Sequence, residues 1–181
     1  MKRNLFTAAI SSLVLVFCMS CGSGEKASAA KKADAAPFFE QIGDVYVGAK
    51  SYYSDSLMPR MFYDNNAKTF WHSGGPAGDY GWVSISYKTP FRAKRYKLVR
   101  RMEIDTQSPA DFVIEGSTSQ DFPDNDAKWS VVDEQRGQKW NVAEHSFIIK
   151  DPKEHRHYRM QILKTVSDQA HASVAEWYME D

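Results

Sequence analysis

The segment Trp82-Val83-Ser84-Ile85-Ser86-Tyr87 decides the fold class. Val83, Ile85 and Tyr87 fall on one side, and Trp82, Ser84 and Ser86 on the other. A side-chain period of two belongs to a half-buried strand, because successive Cβ atoms point to opposite faces. Tyr158, Met160 and Ile162 alternate in the same way with Arg159, Gln161 and Leu163. Working outward, residues 49–53, 96–104, 112–116, 129–132, 145–149 and 174–179 read as further extended runs, the alternation of 96–104 being poor. Residues 38–47 read equally as a short strand or an irregular lead-in. Gly74-Gly75-Pro76-Ala77-Gly78-Asp79 is a loop. Pro59 interrupts any helix around it and pushes the preceding residue toward extended geometry. No amphipathic stretch of helical period exceeds about ten residues, and no repeat is present. Short strands separated by turn residues predict an all-β chain, an antiparallel β-sandwich or jelly roll.

Composition sets limits on partners. The 181 residues carry 23 basic and 23 acidic side chains, so no basic excess points to nucleic acid and no acidic run to a solvating tail. With 43% hydrophobic and 13% aromatic residues, the chain can fill one core.

Residues 1–20 read as an export signal: Lys2 and Arg3 form a positive start, and an apolar run at 10–17 is too short to span a bilayer. Cys18-Met19-Ser20-Cys21-Gly22-Ser23 resembles a bacterial lipoprotein cleavage box, with Cys21 as the lipidated new N-terminus; Cys18 stands where such boxes usually have Leu. An ordinary secretory peptide cut nearby is the other reading. The Cys18-x-x-Cys21 spacing is therefore not a redox motif, and with only these two cysteines the exported part has no internal disulfide. Residues 21–36, rich in Gly, Ser, Ala and Lys, form a flexible tether, and the globular domain is expected over 37–181. The predicted location is the bacterial cell envelope, periplasmic or surface-exposed. Removing residues 1–20 takes away two basic residues and no acidic ones, so attachment to the membrane would come through the lipid alone.

A second stretch carries chemistry: Met61-Phe62-Tyr63-Asp64-Asn65-Asn66-Ala67-Lys68-Thr69-Phe70-Trp71-His72-Ser73. A carboxylate, two amides, a hydroxyl and several carbonyls crowd one turn, and calcium collects six to eight such oxygens. Asp-Asn-Asn is equally a common turn sequence, because short polar side chains bond their own backbone.

The same residues, taken with the strands, resemble a known family. Ala49-Lys50-Ser51-Tyr52-Tyr53, Asp64-Asn65-Asn66-x-x-Thr69-x-Trp71-His72-Ser73 and Trp82-Val83-x-Ile85 resemble the first half of a coagulation factor 5/8 type C domain. This is the discoidin-like, galactose-binding-like jelly roll, also found as carbohydrate-binding modules on bacterial glycosidases. Asp111-Phe112-Val113-Ile114-Glu115-Gly116-Ser117, Trp129-Ser130-Val131-Val132, Tyr158-Arg159-Met160-Gln161-Ile162 and Ala175-Glu176-Trp177 are similar to its later motifs, in order. The match covers about 49–179. It departs at Ser86-Tyr87-Lys88, where relatives have Asp-Leu-Gly, at Asp64-Asn65 for Asp-Gly, at Phe112 for Trp, and in a long acidic loop at 119–128.

The resemblance implies a structural calcium where the early turn meets the last strand. Asp64 and Glu176 would give carboxylates and Thr69 a hydroxyl; Asn66, Met61 and Ala175 would give mainly backbone carbonyls. Glu176 bonded to the turn's own N–H groups, without an ion, is the other reading. The resemblance also implies a non-catalytic module binding a glycan or cell-surface polysaccharide on loops at one end of the sandwich, away from that junction. The loops offer His72, Tyr80, Trp82, Arg101, Trp140 and His171, with His72 as hydroxyl partner, Arg101 as charged partner, Trp140 as stacking platform and Trp71 in the core. A protein-binding adhesion module of the same fold is the alternative, because one fold hosts many functions.

Enzyme signatures are weak. His155-x-His157 could grip a metal from a strand, but Glu154-His155-Arg156-His157 lacks the spacing of four that a zinc-protease helix needs. No Gly-x-Ser-x-Gly elbow or phosphate-cradling glycine loop occurs. Glu103/Asp105 and Asp133/Glu134 read as surface charge.

Overall fold

The computed structural model describes residues 37–75, 78–121 and 129–181. The signal, the tether and Cys21 lie outside these, as does most of the acidic 119–128 loop.

Eleven strands form: β1 (Phe38–Ile42), β2 (Val45–Ala49), β3 (Trp71–His72), β4 (Trp82–Arg92), β5 (Arg95–Val99), β6 (Pro109–Ser117), β7 (Ser130–Gln135), β8 (Glu144–Ile148), β9 (Glu154–Thr165), β10 (Ser173–Val174) and β11 (Glu176–Glu180). Helical structure among the described residues is limited to two 3₁₀ turns, Asp55–Leu57 and Pro59–Phe62. Pro59 opens the second turn, with Met58 before it extended at ψ 168°, as the ring's clash with its predecessor demands. All pairing is antiparallel. One sheet runs β1-β2-β4-β9-β6-β7, a second runs β11-β5-β8, and β10-β3 makes a short pair. The fold is an all-β antiparallel sandwich of the jelly-roll kind.

The undecided 38–47 run is a hairpin: Ile42 pairs Val45 across a two-residue loop in which Gly43 takes φ +57°, a region glycine enters without steric cost. The extended run expected at 49–53 ends as a strand at Ala49. The run at 96–104 stops at Val99, because 100–108 turns away to form a loop. The last run divides into β10 and β11 around Ala175. Pro90 sits within a register break between Ser86 and Phe91 in the β4–β9 ladder, where a missing N–H breaks no regular pairing.

Between the sheets lie the fully buried side chains of Trp71, Trp177, Tyr96, Tyr158, Phe62 and Phe112. Tyr96 stacks on Phe147 at 4.9 Å and donates its hydroxyl to Asp133 at 2.7 Å. Trp71 fills the core as expected, its Nε1 donating to the Ser51 carbonyl at 3.0 Å. Truncating such an aromatic costs about 3–5 kcal/mol, so Trp71 and Trp177 anchor the first and last thirds of the domain on each other's side of one core.

The polar side of β4 is not solvated. Ser84 and Ser86 are buried, and Trp82 is only 8% exposed. They lie on the outer face of the six-stranded sheet beside Arg159, whose guanidinium stacks on Trp129 at 4.4 Å and on Trp82 at 5.8 Å while pairing with Glu115 at 2.7 Å.

The ladder registers place one set of loops at a single end. Ala49 pairs Val83, Trp82 pairs Gln161, Thr165 pairs Pro109 and Phe112 pairs Gln135. In the second sheet Val99 pairs both Glu144 and Glu176. Loops 50–70, 100–108, 136–143 and 166–172 therefore leave the sandwich together.

Candidate functional site

His72 is the centre of an aromatic cluster at that end. It ends β3, which pairs with β10, so the chain segment after β9 lies beside it. Its ring meets His171 at 4.9 Å, Tyr53 at 5.2 Å and Phe70 at 6.5 Å, and Tyr53 also meets His171 at 5.5 Å. His72 Nδ1 lies 3.1 Å from the Ser73 carbonyl. A carbonyl only accepts, so Nδ1 carries the proton and Nε2 is left as an acceptor. Burial holds the His72 pKa down at about 4, with His171 and, more weakly, Arg101 disfavouring the charged form further and the Ser73 carbonyl opposing them. The imidazole is neutral at neutral pH.

Arg101 closes one side. Its guanidinium lies 4.1 Å over the Phe70 ring, its Nε donates to Glu103 at 3.2 Å and its Nη1 to Gln107 at 3.3 Å. Tyr53 is 45% exposed and presents the largest open aromatic surface of the group. A neutral imidazole, a fixed guanidinium and an exposed ring are the ingredients that hold a polyhydroxylated ring: donors and acceptors for hydroxyls, an apolar plane for the carbon face.

Of the six candidates from sequence, His72, Arg101 and His171 come together. Tyr80 stands behind them, 5% exposed, its hydroxyl donating to the Gln169 carbonyl at 2.8 Å; it braces the loop that carries His171. Trp82 lies instead on the outer sheet face. Trp140 is 3% exposed, its Nε1 bonded to the Pro109 carbonyl at 2.8 Å and its ring 4.6 Å from His145, so it has no free face to serve as a platform. Tyr53 and Phe70 take the aromatic role. At Tyr52-Tyr53 and at Phe70-Trp71 one ring is buried, Tyr52 and Trp71, and its neighbour is turned outward, Tyr53 openly and Phe70 in part, a step that no sequence pattern marks.

The Asp64 turn adjoins this cluster rather than standing away from it, because Phe70 links the two. Asp64 Oδ1 and Glu176 Oε1 both accept the Asn66 N–H. Thr69 Oγ1 lies 2.7 Å from Asp64 Oδ2 and 2.7 Å from the Asn66 carbonyl, although its single proton serves one acceptor at a time. Glu176 is 3% exposed and also receives the Tyr178 hydroxyl at 2.7 Å. Burial, with Asp64 adding repulsion, raises its pKa against the lowering bonds from Tyr178 and Asn66. The turn thus brings two carboxylates, a hydroxyl and a carbonyl together, a donor set that suits a hard cation. Met61 lies within the 3₁₀ turn Pro59–Phe62, its N–H bonded to the Met58 carbonyl, and the Ala175 N–H bonds the Val99 carbonyl. His155 and His157 do not converge with other ligands: no group of three His, Cys, Asp or Glu suited to a metal occurs among the described residues. His157 Nε2 instead meets the Ser119 carbonyl at 2.9 Å.

No protein-family model and no curated protein sequence matches the chain. Solved structures do. A CBM32 module of Clostridium perfringens, solved with GalNAc-β-1,3-galactose, superposes with a TM-score of 0.65 at 12% identity, over 77% of this chain and 96% of that one. The family 32 module of Clostridium perfringens NanJ, solved with galactose, gives 0.60 at 15% over 74% and 91%. Chitosan-binding module 2 of a Paenibacillus chitosanase/glucanase, solved with chitotriose, gives 0.64 at 14% over 76% and 97%. At these identities the likeness is one of fold alone: the chain has the antiparallel β-sandwich of these carbohydrate-binding modules.

Proposed function

We propose that the protein is a non-catalytic glycan-binding module whose site is the His72, Arg101, His171 and Tyr53 cluster. The observation that carries this reading is the locked neutral His72, with Nε2 as acceptor, set beside the exposed Tyr53 ring and the Arg101 fork. In this reading Tyr53 stacks on the apolar face of a sugar, His72 Nε2 accepts one ring hydroxyl, and the Nη2 edge of Arg101 donates to another oxygen. The fold's relatives solved with galactose, GalNAc-β-1,3-galactose and chitotriose supply the first ligands to try. A glycan array with the purified chain tests it, followed by titration of the best hit. His72→Ala should weaken binding roughly tenfold, the worth of one good hydrogen bond at a partly desolvated site. Silence on every sugar would turn the reading to protein adhesion, which the exposed Met102 and Val142 at the same end favour, at 49% and 52%.

The Asp64 turn, in the same reading, holds a structural calcium through Asp64, Glu176 and Thr69 with carbonyls of Met61, Asn66 and Ala175. The Cys18–Ser23 pattern supports export to the cell envelope and a lipid on Cys21. Cys21→Ser should move the protein from the membrane fraction to the soluble one; persistence with the membrane overturns the anchor.

A further inference from the structure

A second depression opens at the same end, across the 100–108 loop from His72. It has a volume of about 690 Å³, within the range of small-molecule sites. Its floor is the edge of Trp140, and one wall is the bare backbone of Gly137, held at φ +62° with open space where a side chain would stand. The two sites share their loops. Residues 100–108 give Arg101 and Gln107 to the first and Asp105 to the second, and residues 164–171 give His171 to the first and Lys164 and Val166 to the second.

The rim charges do not balance. Arg136, Lys139 and Lys164 face Asp105 and Asp111. Asp111 is already occupied: it accepts the Gly137 N–H at 2.7 Å and lies 3.7 Å from Arg136, which also holds Glu134. Lys164 has only a 3.5 Å contact to the exposed Asp168, and neither Lys139 nor the exposed Asp105 makes an ion pair among the described residues, so three cationic side chains line the hollow against two carboxylates. Two exposed ammonium groups thus stand over a polar hollow with a carbon-edge floor.

We infer that this hollow is a second subsite, and that it takes an anionic sugar unit of the same glycan whose neutral unit sits at His72. The inference rests on the glycan-binding reading above. It makes the preferred ligand an acidic oligosaccharide spanning the 100–108 loop, with its carboxylate or sulfate at Lys139 and Lys164. Both lysines are solvent-exposed, so their attraction is screened by salt.

Calorimetric titration of the purified chain with galactotriose, with galactotriose carrying one terminal galacturonate in place of galactose, and with galactotriose sulfated on one terminal unit tests this. The anionic trisaccharides should bind more tightly than the neutral one, and the gap should close at about 0.5 M NaCl. The Lys139→Ala/Lys164→Ala double variant should weaken the anionic ligands roughly fivefold, as two exposed ion pairs warrant, and leave galactotriose unchanged. A preference for the uronate or for the sulfate names the group, and either supports the subsite. Equal affinities in the unaltered protein, or a gap that survives the double variant, overturn it. His72→Ala separates the two readings: it should weaken all three sugars, and if it weakens none while the lysine variant still acts, the His72 site falls and the anionic subsite stands. Binding of no sugar overturns both.

Discussion

His72 shows how one residue's surroundings set a measurable property. Its folded pKa of about 4 lies below the 6.5 of a free imidazole because burial penalises the charged ring and His171 adds to that. The sign follows from proton counting. Between pH 6.5 and 4 the unfolded chain binds a proton here and the folded chain does not, so stability is full above pH 6.5 and lost as pH falls toward 4. Imidazole NMR should therefore show His72 titrating near 4, and a His72→Gln variant should lack this part of the acid destabilisation. A titration near 6.5 would mean the ring is solvated and the cluster open. At this scale the sequence was partly legible. His72, Arg101 and His171 carry polar chemistry that a loop would display. Tyr53 was not distinguishable from Tyr52, because two adjacent tyrosines give no sign of which faces inward until β2 and the His72 carbonyl fix the backbone: the Tyr53 N–H bonds that carbonyl at 2.9 Å. Trp140 was misjudged because a large ring in a Gly-Gln-Lys-Trp-Asn loop looks displayed, whereas its indole N–H finds a buried carbonyl.

The strands at β4 and β9 were read from period two, and that period held there, where it reports which residues enter the core. What it could not report is what covers the opposite face. Alternation implies a solvated polar side, yet Ser84, Ser86, His157 and Arg159 are all buried on the outer face of the six-stranded sheet. Arg159, Trp82 and Trp129 stack across strands there, and Phe39 packs 6.0 Å from Trp82. Gly48 makes room for it: a Cβ there would come within 2.3 Å of the Phe39 ring. Cross-strand partners of this sort come from strand order, β1-β2-β4-β9-β6-β7, which no local pattern encodes. The Arg159–Glu115 pair then becomes a test of the face. The Arg159 side chain is 5% exposed and that of Glu115 19%. Removing one partner of a buried pair leaves an uncompensated charge, whereas replacing both with apolar groups is often neutral. Glu115→Ala should cost about 2 kcal/mol in urea unfolding, below the usual ~3–5 because Glu115 keeps some solvent contact. The Glu115→Leu/Arg159→Met double variant should be more stable than Glu115→Ala. A single variant with unaltered stability would mean the outer face is wet.

On the scale of the whole molecule, the first and last segments meet at the Asp64 turn. Asn66 bonds Glu176 of β11 across 110 residues, and β11 in turn pairs β5, the strand that leads into Arg101. Phe70 follows the turn directly and carries the Arg101 guanidinium on its ring. A cation in the turn would therefore do two things: neutralise two converging carboxylates, and hold fixed the segment on which the Arg101 guanidinium rests. A ligand that binds only the folded state stabilises it by RT ln(1 + [L]/Kd), about 2.7 kcal/mol at a hundredfold excess over Kd. Calcium should accordingly raise the melting temperature by several degrees, since about 1 kcal/mol moves a domain of this size by about 2–4 °C. Asp64→Ala should abolish the rise, and a chelator should weaken sugar binding without touching its pH profile, because His72 is not among the proposed ligands. A melting curve indifferent to calcium would mean that the Asn66 N–H and the Tyr178 hydroxyl hold Glu176 by themselves. Burial would still hold the Glu176 pKa above the usual carboxylate range against the bonds from Tyr178 and Asn66, and the turn would close without an ion.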